Sequence, residues 1–431
     1  MSARRAASIV VDLGFGDAGK GLLTDYCVRS TQADLVVRFN GGAQAGHNVI
    51  DGDGRHHTFS QFGSGSFVAG VRTHLARPVV VHPTALRVEA DRLAQIGVTD
   101  ALQRLSVDPE CRITTPFQQA AGRLRELLRA EARHGSCGVG VGETVQDALE
   151  SPELSLRFAD LSQPARARDR LFALRAHKAG QFEQLKHQQL SAAVEREYSA
   201  LLDPELPDRW LSAVGQVAQR VRVVRDEALE MRSDSLVFEG AQGVLLDENF
   251  GFHPYTTFSQ CGFQTALALL TNLGFRGDVR RIGVLRSYMV RHGPGPLPTE
   301  DERVSAQTVE VHNETGPWQK HVRKGWSDLV LLDYALRASG GADELAITHL
   351  DALRAFPQYA CCFAYEGESP LALPNGIPEQ EALTQRLFEA SPRYRAVPSS
   401  QFCDLLEEQC QVKVGLVSTG PRATDVSRRR A

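Results

Sequence analysis

The sequence predicts an α/β fold: a large, mostly parallel central sheet covered by helices, built around a phosphate-binding-type loop and carrying helical insertions. Three observations predict it. Short β-branched runs alternate with longer helical stretches along the chain. The apolar run Ala7–Val11 leads straight into a glycine-rich turn, Gly14–Gly21, the usual junction of a strand and a phosphate-facing helix. The 431 residues suffice for one large α/β unit, and the chain is read as a single domain over 1–431.

Taken in order, strands are expected at 7–13, 34–39, 78–82, 235–239, 281–289, 344–349, 357–365 and 412–418. Helices are expected at 19–29, 84–96, 116–132, 187–202, 208–232, 262–273, 326–338, 379–390 and 398–410. The mostly helical, charged, Gln-rich segment 162–230 reads as a helical insertion. Pro/Gly-rich stretches at 292–298 and 367–378 read as loops.

Composition excludes several classes. With 48 basic against 52 acidic residues, nothing suggests nucleic-acid binding. No apolar run is long enough to span a bilayer, and no signal peptide is evident, so a cytoplasmic protein without a membrane partner is expected. The eight cysteines show no metal-ligand spacing and are expected as reduced thiols.

Chemistry concentrates at predicted strand ends. Residues 14–21 read G-F-G-D-A-G-K-G, close to G-x-x-x-x-G-K-S/T, with Gly21 where a magnesium-holding hydroxyl is usual. Asp17, inside the loop, can supply a metal ligand, remove a proton, or do both. Lys20 would neutralise a phosphate, and the glycines would let amides approach it. A second cluster, Arg38–His47, ends a strand in a glycine loop carrying Gln44, the Gly46 carbonyl and His47. The carbonyl could coordinate a metal, and the imidazole could donate to a phosphate oxygen. Further clusters are Phe238–Gly243 with Asp247 and Thr257, then Thr348–Asp351, and Ser418–Pro421. Asp351 can accept both hydrogens of a guanine edge, or it can cap a helix.

Together these segments resemble the adenylosuccinate synthetase family, in order and over nearly the whole chain. The family's Q-W-G-D-E-G-K-G corresponds to residues 14–21 and its V-V-R-Y/F-x-G-G-x-N-A-G-H to Val36–His47. F-E-G-A-Q-G-x-L-L-D is intact at Phe238–Asp247, and H-P-Y-T-T at His253–Thr257 is similar to its P-Y-V-T. G-x-G-P-F/L-P-T-E is intact at Gly293–Glu300, G-W-x-D at Gly325–Asp328 and S-T-G-P at Ser418–Pro421. T-K-L-D appears as Thr348–Asp351.

The resemblance implies a ligase that moves the γ-phosphoryl of GTP, its co-substrate, to the 6-oxygen of inosine monophosphate (IMP). Aspartate's amino group then displaces that phosphate. It implies Asp17 as the base and a Mg2+ ligand, with the Gly46 carbonyl as a second ligand. Lys20 and His47 stabilise the moving phosphoryl, and Gln242 holds the purine. Gly16, Gly19, Lys20, Gly21, His349, Asp351, Ser418 and Gly420 would bind GTP. Gln44, Ser136, Cys137 and Thr257, with Asp17 and Gln242, would hold the acceptor nucleotide. A homodimer is implied.

The departures concentrate on the acceptor and the amine. The family's G-T-T-G-R-G-I-G-P-x-Y stands here as Gly135–Val145, with Cys137 for a phosphate-holding threonine and Gln44 for an asparagine. A K-x-x-R segment is replaced by Ala148 and Ser151, which removes an arginine that reaches the neighbouring subunit's nucleotide. Such a loss commonly removes about 1.5–3 kcal/mol of contact. The two arginines expected to clamp aspartate are Lys320 and Val322. Lys320 and Arg323 keep that loop basic, although lysine cannot form a guanidinium fork. His349 replaces the lysine that packs over guanine. Three readings follow: an adenylosuccinate synthetase; a paralogue with the same phosphoryl activation but another acceptor or amine; and a GTP-binding regulator without catalysis.

Overall fold

The computed structural model describes residues 5–130, 133–308, 322–367 and 370–429. Ten strands form its central sheet: β1 (Ala6–Asp12), β2 (Leu35–Arg38), β3 (Arg72–Leu75), β4 (Leu105–Val107), β5 (Arg222–Val223), β6 (Ser235–Glu239), β7 (Asp278–Arg286), β8 (Glu344–Thr348), β9 (Val414–Ser418) and β10 (Val426–Arg428). Their order across the sheet is β10-β9-β8-β7-β1-β6-β2-β3-β4-β5. All neighbours run parallel except β9 and β10. The mostly parallel sheet is therefore as expected.

β1 shows why the centre reads as a continuous apolar run. Ile9 and Val11 join one core cluster, with Val37 and Phe238. Val10 joins a different one, with Val36, Val237 and Ile282. Helices cover both faces, so alternate side chains enter different cores and none needs to be polar. The turn after β1 opens helix α1 (Lys20–Thr31), and the sheet order doubles back beside β1. Ligands of open α/β sheets bind outside carboxyl strand ends at such a point.

Several expected elements differ. The strand expected at 78–82 is reduced to Val80–Val81, paired with Arg112–Ile113 outside the central sheet. The sheet strand there is β3, four buried residues of sequence Arg-Thr-His-Leu. Its polarity hid it: His74 is buried because Ser106 and Asp226 each bond one ring nitrogen at 2.9 Å. The helix expected at 208–232 is Leu206–Ala218, followed by edge strand β5. The strand expected at 281–289 ends at Arg286; Met289–His292 instead pairs with Val322–Gly325. Residues 358–365 form a strand, but in a separate three-stranded sheet. A hairpin, His47–Ile50 with His56–Phe59, was not expected, nor was helix Val141–Glu150. The segment 162–230 holds helices Pro164–Gln181, Ala192–Leu202 and Leu206–Ala218. No described helix is long and apolar enough to cross a membrane.

One helix start gives a pH-dependent expectation. Helix Pro83–Gln95 is capped by His82, whose Nδ1 accepts from the Ala85 amide at 3.4 Å and from Thr84 Oγ1 at 3.1 Å. Burial, with Arg123 nearby, pushes this imidazole down to about 4 from 6.5. The unfolded chain therefore takes the proton first as pH falls. The stability is present above pH 6.5 and is lost as pH falls through about 4, amounting to about 3 kcal/mol. His82→Asn keeps a cap acceptor and removes the titration. Urea denaturation at about pH 7 and about pH 4.5 should show a smaller acid loss for the variant; equal losses would contradict this.

Candidate active site

The turn after β1 is held from inside. Asp12 Oδ1 accepts from the Gly14 amide at 2.8 Å and the Gly16 amide at 3.3 Å. Asp12 Oδ2 accepts from the Ala18 amide and Lys20 Nζ, both at 2.9 Å. The turn then packs on the loop after β6. A Cβ at Gly243 would stand 2.2 Å from the Gly14 carbonyl oxygen, so only glycine fits. A Cβ at Gly21 would meet the Asn48 carbonyl and the His47 side chain at 3.0 Å. The hairpin that starts at His47 thus disfavours the usual hydroxyl residue at position 21. Asn40, in the loop after β2, ties that loop to the loop after β6 through Ala241, accepting from its amide at 2.7 Å and donating to its carbonyl at 3.1 Å.

Three non-glycine residues here, Asp17, Gln242 and His349, have left-handed backbones with φ of 59°, 55° and 57°. Such strain persists only where the surroundings enforce it, and it clusters at functional sites. At Asp17 the enforcing contacts are visible. Arg286 Nε donates to the Asp17 carbonyl at 2.5 Å, and His292 Nε2 bonds Asp17 Oδ2. Partial burial pushes the Asp17 carboxyl up; the His292 hydrogen bond and charge, with Arg286 and Lys20, outweigh it and bring it to about 2.

Asp17 opens onto a cavity of about 700 Å³. Gly16, Lys20, Gln44, Gly46, His47, Ser136, Cys137, Gln242, Thr257 and His292 line the same space. Both amide atoms of Gln242 and Oε1 of Gln44 are buried without a partner among the described residues. Unpaired buried polar atoms are costly, and these lie in the cavity wall where a polar ligand would satisfy them. His47 is aimed by β6: its Nδ1 lies 2.6 Å from Glu239 Oε1. A carboxylate only accepts, so Nδ1 carries the proton. Burial pushes His47 down to about 4, against the attraction of Glu239. In the neutral ring Nε2 is then an acceptor, and donation to a phosphoryl oxygen needs the imidazolium, which an arriving anion favours. Burial raises the Cys137 thiol.

Other expected residues lie apart from this cavity. His349 and Asp351 follow β8, while Ser418 ends its neighbour β9 and Gly420 follows it. Thr348 Oγ1 donates to the Ala18 carbonyl at 2.8 Å and connects them to the loop beside Gly19. Asp351 is exposed, and Ser418 Oγ donates to the Gly420 carbonyl at 2.6 Å. Arg323 forks onto Glu300, with Nε 2.9 Å from Oε2, and donates to the Gly295 carbonyl at 2.7 Å. Lys320 lies outside the described residues.

Sequence reasoning missed Asp12, Glu239, Arg286 and His292. Asp12 stood inside the expected strand 7–13, and Glu239 stood in a recognised segment without a role. Arg286 and His292 are polar residues at the end of an apolar run, which was the available signal.

The chain matches the adenylosuccinate synthetase family model over residues 9–427. The chain belongs to the adenylosuccinate synthetase family. That makes it a GTP-dependent carbon–nitrogen ligase by membership, as the motifs implied. It is 30% identical to the adenylosuccinate synthetase of Neisseria gonorrhoeae over 96% of each chain. It is 31% identical to that of Bordetella pertussis, over 96% of this chain and 95% of the relative. The fold is shared with the fully ligated adenylosuccinate synthetase of Plasmodium falciparum (TM-score 0.77, 20% identity, 99% of this chain and 100% of that one). It is also shared with cyanophage S-2L succinoaminodeoxyadenylate synthetase bound to dGMP and dATP (TM-score 0.59, 15% identity, 99% and 96%).

Proposed function

We propose that this protein makes adenylosuccinate from IMP, L-aspartate and GTP, as a homodimer in the cytoplasm. The observation that carries the reading is the single cavity joining Asp17, Lys20, His47 and the unpartnered Gln242 amide. A lactam oxygen leaves poorly, and phosphorylation makes it a good leaving group. Asp17 Oδ2 is taken by His292, which leaves Oδ1 to receive the N1 proton as charge moves to the 6-oxygen. The Gln242 amide, with a free donor and a free acceptor, fits a purine edge. Lys20 and His47 face the phosphoryl, where positioning and electrostatics supply most of the rate.

Magnesium fits the donors present. Asp17 and the Gly46 carbonyl offer oxygen in the same cavity, and Mg2+ is commonly held by one or two protein oxygens with phosphates and water. No described cluster of three or more His, Cys, Asp or Glu side chains would build a softer site. When bound, the ion neutralises phosphate charge. GTP is received beside this cavity by Gly19 and Lys20 to Gly21, the expected Gly16 amide being bonded to Asp12 instead, with guanine toward His349, Asp351, Ser418 and Gly420. The acceptor lies against Gln44, Ser136, Cys137 and Thr257, and the amino acid toward Lys320 and Arg323.

A paralogue with another acceptor or amine is the second reading. Cys137 in the cavity wall and an Arg323 already committed to Glu300 favour it. IMP carrying a heavy oxygen isotope at position 6 separates the chemistry from simple GTP hydrolysis. The proposal expects the label in the released phosphate. Label retained in the nucleotide, or lost to water, would refute it.

A further inference from the structure

The carboxylate of Asp12 occupies the place an anion takes in a phosphate-binding loop. Three backbone amides and one ammonium converge on it, from Gly14, Gly16, Ala18 and Lys20. It is 1% exposed and Lys20 is 3% exposed. Loops of this kind normally turn such amides toward a ligand phosphate. Here the chain supplies the anion itself, and those amides cannot also serve a nucleotide. Lys20, with three protons, has one fixed on Asp12 Oδ2 and two left.

We infer that Asp12 is a positioning residue for phosphoryl transfer, an internal anion that shapes the turn and fixes the ammonium of Lys20 at one spot. The inference rests on the ligase reading for its catalytic consequence. It follows that nucleotide phosphates are received by the amides from Gly19 onward, by the rest of the Lys20 ammonium and by His47. A fixed carboxylate near the phosphates also repels them. Asp12 therefore weakens nucleotide binding while it speeds transfer, because only a correctly placed charge is worth more in the transition state than in the ground state.

Asp12→Asn tests this. Every group facing the carboxylate is a donor, so either amide orientation sets an NH2 against N–H groups, and the lysine loses the negative charge that fixes it. Turnover is read as GDP release with saturating substrates, and affinity as calorimetric GDP binding without acceptor or amine. The expected result is a fall in kcat of about tenfold or more with a GDP Kd equal to or below that of the unaltered protein. An unchanged kcat, or a higher Kd, would overturn the inference. A merely structural role predicts the higher Kd. Asp12→Gly removes the carboxylate without placing an amide among the donors, and it is judged by the same criterion if Asp12→Asn does not fold. Failure of the ligase reading itself would show separately, as absence of adenylosuccinate from the unaltered protein.

Discussion

Asp17→Asn should lower turnover by a factor of about 10³, within the range of a lost general base, or about 4 kcal/mol of barrier. The fold should survive. Asparagine tolerates the left-handed backbone that Asp17 adopts at φ 59°, and the clamp on its carbonyl by Arg286 is independent of the side chain. An amide of the same shape can still accept from His292. It cannot take the N1 proton, and it is a poorer metal ligand. Because the carboxyl is held at about 2, it is fully ionised above about pH 4, so protonation of Asp17 should not set an acid limb of the rate profile in that range. The Km for GTP should change much less than kcat. Turnover within tenfold of the unaltered protein would remove Asp17 from the reaction.

Glu239→Gln should cost both stability and rate. Glu239 is fully buried at the end of β6. It bonds His47 Nδ1 at 2.6 Å, the Ser64 amide at 2.9 Å and the Ser64 hydroxyl. Burial pushes its carboxyl up, but Arg38, His47 and the hydrogen bonds hold it below the ordinary value of 4.5. A depressed acid contributes stability that is present above its unfolded pKa and lost as pH falls. The neutral amide forfeits it at pH 7. Arg38, itself 2% exposed, is left without its nearby charge, and breaking such a buried arrangement costs about 3–5 kcal/mol. His47 loses the acceptor that fixes its tautomer, so turnover should fall by about tenfold or more. Urea denaturation and GDP release measure the two effects. A variant within about 0.5 kcal/mol, the range of an ordinary surface change, and with full turnover would show that Glu239 does not hold His47.

What the sequence revealed and concealed follows from the same contacts. The sheet centre was legible because β1 and β6 bury both faces in separate cores, which demands apolar runs. β3 was concealed because His74 and Arg72 find partners inside the fold, so polarity there does not mean exposure. The glycine turn was legible from spacing alone, and Gly21 is explained by the hairpin against it. The clamp on Asp17 was not legible, since His292 lies 275 residues away in the chain. Asp12 was overlooked for a different reason. A single acid at a strand end carries no pattern, and only the convergence of four donors shows its role.

The reaction proposed for this protein is the joining of IMP to aspartate at the expense of GTP. Purified protein with magnesium, GTP, IMP and L-aspartate, followed by mass spectrometry, tests it most directly. Adenylosuccinate should appear mole for mole with GDP, and none when either IMP or aspartate is withheld. GDP without adenylosuccinate in the complete mixture would contradict it.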